Sequence, residues 1–146
     1  MTRTADVAVI GAGIIGAAVA FNLARRGAKV VVLEAQPAPA AGSTGRSAAG
    51  VRVQFSETLN VQLSWESIEE YRDFGGLYGY ESGYDPVGYL FLVPAANTEE
   101  HRSAMALQLG LGAPVQELSP AEAQELVPFA ADPEATFITT FGPADG

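Results

Sequence analysis

The chain has no cysteine and only one histidine and one tryptophan in 146 residues. Without cysteine there is no disulfide, no thiolate metal ligand and no cysteine-linked prosthetic group; the compartment stays open. One histidine cannot assemble a zinc site by itself. Basic residues are scarce too, eight against 17 acidic, for a net charge of −9. The deficit is uneven: residues 1–55 carry +4 and residues 56–146 carry −13. The acidic part reads as solvated surface and argues against nucleic acid, whose phosphates need a basic face. No apolar run reaches the roughly 20 residues of a membrane span. The run from Val7 to Phe21 follows Arg3, as in a secretory signal. Its glycine spacing and the Arg25-Arg26 pair beyond it fit a helix end better than a cleavage site. A cytoplasmic protein is expected.

Hydrophobic residues make up 48% of the chain, enough for a core and too many for disorder. The length suits one domain or part of a larger one. The informative segment runs from Ala5 to Glu34. Val7, Val9 and Ile10 form a β-branched strand that stops at a glycine. Gly11, Gly13 and Gly16 then make G-x-G-x-x-G at the mouth of a predicted helix. The first glycine permits the tight turn, the second lets backbone approach a pyrophosphate, and the third lets helix and strand pack closely. The unpaired N–H groups and positive dipole end of that helix suit phosphate. Val30 to Leu33 reads as a second apolar strand, and Glu34 ends it. A carboxylate there accepts hydrogen bonds from an adenosine ribose and repels a 2′-phosphate. No arginine follows it directly, which argues against NADP.

Gln36 to Gly50 is punctuated by Pro37, Pro39, Gly42, Gly45 and Gly50 and reads as a loop. Its second half, Gly42 to Arg52, is small and polar and carries two arginines. On composition alone it is either a mobile surface loop or a wrap around a flat, charged ligand. Ser56 reads as the N-cap of a helix to about Phe74, with Val61, Trp65, Ile68 and Tyr71 as its apolar stripe. Trp65 is assigned to the core. Gly75 to Pro86 reads as an aromatic, turn-rich link and Tyr89 to Val93 as a strand. Asn97-Thr-Glu-Glu100 reads as a capping box opening a helix to about Gly110. Ser119-Pro-Ala-Glu122 reads as another, with proline at the first helical position. A last strand is predicted from Ala135 to Phe141. His101 is read as a surface histidine.

These residues resemble the glycine oxidase/sarcosine oxidase/D-amino acid oxidase superfamily of FAD-dependent amine oxidoreductases. The likeness lies in Gly11-x-Gly13-x-x-Gly16 with Glu34, in the loop Gly42 to Phe55, and in Gly142-Pro-Ala-Asp-Gly146. The first motif is common to dinucleotide folds and the second is far more specific. The resemblance implies an α/β chain with a Rossmann-like FAD-binding βαβ unit, an incomplete three-layer core, in residues 1–55. Residues 56–86 would be a helix and linker associated with that domain. Residues 87–146 would begin an α+β substrate domain. It implies that Gly11, Gly13 and Gly16 meet the pyrophosphate of FAD and Glu34 the ribose, with Ile14, Ile15 and Ala35 also among the cofactor-binding residues. Ser43, Thr44, Arg46 and Ser47 would follow the pyrophosphate and the isoalloxazine edge, with Ala49, Gly50 and Val51 beside the ring. Some relatives tether FAD through a histidine in this loop; Arg46 or Ser47 stands there, so non-covalent FAD is expected. Arg52 would pair with a substrate carboxylate or the flavin edge.

The implied reaction is hydride transfer from the carbon beside an amine to the flavin, followed by imine hydrolysis. The implied substrate is a small amine or amino acid. Members of the family are well over twice this long, so a fragment, a truncation or one piece of a split protein is expected. Its partner would be a second subunit or the remaining C-terminal portion. Two other readings stay open at this stage: a non-catalytic nucleotide-binding or assembly piece, and an NAD-dependent dehydrogenase. The latter leaves the loop Gly42 to Phe55 unexplained.

Overall fold

A computed structural model describes residues 4–129 and 137–146. The chain divides into two compact units, Met1–Ala49 and Gly50–Gly146.

The first unit is the expected βαβ element. Strand β1 (Val7–Ile10) leads through the glycine turn into helix α1 (Ile14–Arg25), and strand β2 (Val30–Leu33) returns parallel to β1. Val7 pairs with Val30 and Ile10 with Leu33. Gly27, at φ +88°, takes the left-handed turn after α1 that an L side chain adopts only with strain. None of the described residues of this unit is buried; Ile10 is 88% and Ile15 76% exposed. A two-stranded sheet with one helix has too few layers to cover its own apolar faces. The loop that follows contains one 3₁₀ turn, Thr44–Arg46.

The second unit holds the core. Helices α2 (Thr58–Arg72), α3 (Phe74–Tyr78), α4 (Thr98–Gly110) and α5 (Pro120–Leu126) accompany an antiparallel sheet. Its strands are β3 (Tyr89–Pro94), β4 (Gln116–Leu118) and β5 (Phe137–Gly142), in the order β3-β5-β4. Val53, Val61, Ile68, Met105, Ala113, Val115 and Ala144 form the buried cluster. Val61 and Ile68 come from the predicted stripe of α2, and Trp65 packs against the same cluster, as its core assignment requires.

Several local expectations change. Helix α2 starts at Thr58 with Glu57 as N-cap, so Ser56 lies one position too early to cap it. The link after it is partly helical: α3 occupies Phe74–Tyr78 and ends on left-handed Gly79. The Ser119 capping box forms in both directions, whereas Asn97 makes no side-chain cap bond. Asn97 closes a 3₁₀ turn (Ala95–Asn97) with ψ near 3°, while Ser119 is extended at ψ 156°, as a capping residue must be. Strand β4 is an addition to the predicted elements. The start of the last predicted strand, residues 135–136, lies outside the described residues. No helix among the described residues is long and apolar enough to cross a membrane.

Candidate functional site

In the first unit the glycine turn is built as a cradle. Gly11 has φ +95°, the left-handed region glycine enters freely. A Cβ on Gly16 would lie 1.9 Å from the Gly11 carbonyl oxygen, so only glycine allows this approach of helix to turn. A Cβ on Gly13 would meet Thr44 Oγ1 at 3.1 Å. Thr44 Oγ1 accepts the Ile14 N–H at 3.0 Å, satisfying one donor that opens α1 from 30 residues away. Gly13, the N-cap, has no side chain to do so. The N–H groups of Gly13, Ile15 and Gly16 have no hydrogen-bond partner among the described residues. Free donors at a helix N-terminus, with no Cβ in front of them, fit a pyrophosphate.

Glu34 lies beside the same turn. Its Oε2 accepts the Ala12 N–H at 2.7 Å and its Oε1 accepts the Gln36 N–H at 2.8 Å. These bonds, that from Ala12 foremost, hold its carboxyl below the usual carboxylate range. The structure therefore joins Gly11, Gly13, Ile14, Ile15, Gly16, Glu34 and Thr44 around one turn. Ala35 follows Glu34 in the chain. Ser43 and Arg46 flank Thr44 on the 3₁₀ turn, and Arg46 makes no ion pair among the described residues. Ser47 Oγ accepts the Ala49 N–H at 3.0 Å, and Ala49 itself stands at φ +58°.

Gly50, Val51 and Arg52 belong to the second unit. Val51 exchanges two backbone hydrogen bonds with Gly146: its N–H donates to the Gly146 oxygen at 2.5 Å and its oxygen accepts the Gly146 N–H at 2.8 Å. A Cβ on Gly50 would meet the Tyr89 hydroxyl at 2.3 Å. Asp145 is 0% exposed. Its Oδ1 accepts the Val53 N–H at 2.7 Å, and its Oδ2 accepts from Gln54 Nε2 at 3.0 Å. Burial pushes the Asp145 carboxyl up, against the hydrogen bonds from Gln54 and Val53 and the charge of Arg52. The segment Gly142 to Gly146 thus clamps the end of the loop through a buried acid that motif reading did not single out.

His101 is not the surface residue expected. It is half-buried, and its Nε2 lies 2.8 Å from Thr140 Oγ1 on β5. Its ring sits 6.3 Å from that of Phe91. It lines a cleft of about 350 Å³ that Arg52, Gln54, Phe91 and Gln108 also line. Only the 39-residue separation between His101 and Thr140 hid this, since local sequence carries no trace of it. Among the described residues no group of His, Asp and Glu is arranged to hold a metal ion.

Comparison with known proteins agrees with this geometry. The family described as FAD dependent oxidoreductase matches residues 6–145. The FAD-dependent oxidoreductase domain-containing protein 1 of Xenopus laevis is 33% identical over 136 residues, covering 86% of this chain and 27% of that protein. Glycine oxidase of Geobacillus kaustophilus is 33% identical over 159 residues, covering all of this chain and 40% of that enzyme. The solved structure of L-proline dehydrogenase from P. horikoshii superposes with a TM-score of 0.85 at 31% identity, covering all of this chain and 38% of that one. The chain spans between about a quarter and two-fifths of the length of these relatives. With the match running through the glycine turn, the loop and the Asp145 segment alike, the chain belongs to the FAD dependent oxidoreductase family.

Proposed function

We propose that this chain forms the N-terminal part of an FAD-dependent oxidoreductase that oxidises the C–N bond of an amino acid or N-methyl amino acid to an imine. The observation that carries it is the glycine turn. Three unpartnered N–H groups open α1 beside a carboxylate held ready by two backbone donors. Bound FAD would supply the two-electron acceptor. The protein's part is to bind, orient and polarise. Gly13, Ile14, Ile15 and Gly16 would take the pyrophosphate, and Glu34 with Ala35 the ribose. Glu34 keeps lone pairs beyond those that Ala12 and Gln36 occupy. Ser43, Thr44, Arg46 and Ser47 would continue along the pyrophosphate, and Ala49, Gly50 and Val51 would border the flavin ring. No covalent tether to FAD is expected from this loop, which holds neither cysteine nor histidine.

Amino-acid substrates are supported by relatives whose names are glycine oxidase and L-proline dehydrogenase. Arg52 is the residue proposed to take a substrate carboxylate or the flavin edge. A second subunit or a C-terminal portion would complete the enzyme. The test is direct: the purified chain is examined for flavin absorption and for FAD released on denaturation. Close to one FAD per chain, lost in Gly13→Val, is the expected result. Stoichiometric FAD retained by Gly13→Val would overturn the assignment.

A further inference from the structure

The cleft of about 350 Å³ in the second unit lies among residues 52–56, β3 and α4. That is the size of a small-molecule site. Two features of its lining point to a ligand. First, the Arg52 guanidinium stands 5.0 Å over the ring of Phe55 and 5.8 Å from that of Phe91. It forms no ion pair among the described residues. The two aromatic faces hold the cation in place without consuming its hydrogen-bond donors.

Second, a hydrogen-bonded chain sets the tautomer of His101. Gln54 Nε2 donates to the Tyr89 oxygen and to Asp145 Oδ2, both at 3.0 Å, so Gln54 Oε1 is fixed as an acceptor. It accepts the single hydroxyl proton of Thr140 at 3.0 Å. Thr140 Oγ1 then has only lone pairs left for His101, and Nε2 must carry the ring proton. Nδ1 is left as the acceptor, and it has no partner among the described residues. Burial favours the neutral ring, against a smaller opposing effect of the Glu117 charge. Thr140 stands on β5, so Nε2 faces the sheet. Glu100 adds an acidic group to the same lining.

We propose that Arg52 and His101 form a two-point site for a small amino or imino acid. The ligand carboxylate pairs with Arg52, its N–H donates to His101 Nδ1, and its apolar part lies against Phe91, Leu92 and Pro94. This rests on the reading of Arg52 as a carboxylate partner and adds His101 as the residue that selects for the nitrogen. Asp145, Gln54 and Thr140 are positioning residues that act through His101.

The chain has one histidine, so its imidazole resonances are unambiguous in nuclear magnetic resonance. The full chain is titrated with L-proline and with cyclopentanecarboxylate, which share a shape and differ in the ring NH₂⁺ group, and Glu100→Gln is titrated alongside so that attraction of that charge to Glu100 is counted separately. Both are expected to shift the His101 signals saturably, proline with a Kd about tenfold lower. His101→Phe, which has no imidazole to follow and is titrated by calorimetry alongside the wild type, should bring the two Kd values together, and Arg52→Gln should weaken both. The wild-type comparison stands whether or not His101→Phe folds. Equal wild-type Kd values would overturn the role of His101 and leave that of Arg52 standing. No saturable shift with either ligand, or an Arg52→Gln variant that binds both as before, would overturn both.

Discussion

Glu34 Oε2 accepts the N–H of Ala12, 22 residues earlier, at 2.7 Å. The acid at the end of β2 therefore secures the middle of the glycine turn as well as standing where a ribose would lie. Glu34→Ala should raise the Kd for FAD by about tenfold, through loss of a charged acceptor and of the turn's shape. Its pKa is lowered in the fold, so the bond persists above the ordinary carboxylate value and is lost as pH falls through the depressed one. The Ala12 amide shift, followed from neutral pH into the acid range, should move only at the low end. An Ala12 signal indifferent to Glu34→Ala would reject the link.

Gly13 and Gly16 should fail in different ways. At Gly16 an added methyl meets the Gly11 backbone oxygen at 1.9 Å, and neither α1 nor β1 can yield without repacking. Gly16→Ala should cost about 1–3 kcal/mol of stability, read as a lower denaturation midpoint. At Gly13 the first obstacle is the Thr44 side chain at 3.1 Å, which can rotate. Gly13→Ala should stay folded and lose affinity for FAD. Equal destabilisation by the two alanine variants would contradict this ordering.

The first unit was legible because each of its signals is local. Strand, glycine spacing, helix and terminal acid follow one another within 30 residues, and together they point to one βαβ unit. What escaped depends on partners distant in sequence. Strand β4, with Gln116 and Glu117 in its three residues, has no strand pattern of its own and exists because β5 pairs with it. His101 looked like a surface residue because Thr140 and Phe91 reach it from two strands. The capping motifs at Asn97 and Ser119 look alike on paper; the backbone angle at the capping residue decides which one forms. Asp145 was visible as part of a motif, yet its burial and its two donors were not.

Thr44 caps a helix to which it does not belong. Its Oγ1 takes the Ile14 N–H at 3.0 Å. Thr44→Val keeps the shape and removes the acceptor, so it should cost about 1 kcal/mol, the usual worth of an N-terminal cap. The Ile14 amide should exchange faster with solvent in the variant. An unchanged exchange rate would mean that the hydroxyl is not the partner.

Asp145 offers the sharpest test of the second unit, because its two oxygens serve two different donors, Val53 N–H and Gln54 Nε2. In Asp145→Asn one of those positions becomes an NH₂ group facing another donor. The variant should lose about 1–3 kcal/mol, the cost of a buried polar group left unpaired. The pH dependence has its own sign. Burial raises the carboxyl of Asp145 in the fold, so its favourable contribution is present below the ordinary aspartate value and declines as pH rises through the raised one. The wild type should therefore lose stability across that interval relative to Asp145→Asn, which has nothing to titrate there. Parallel denaturation series of the two proteins from acid to neutral pH separate the effects. A constant gap between them across the series would show that Asp145 is not raised, and a gap of zero would show that its hydrogen bonds do not hold the loop end.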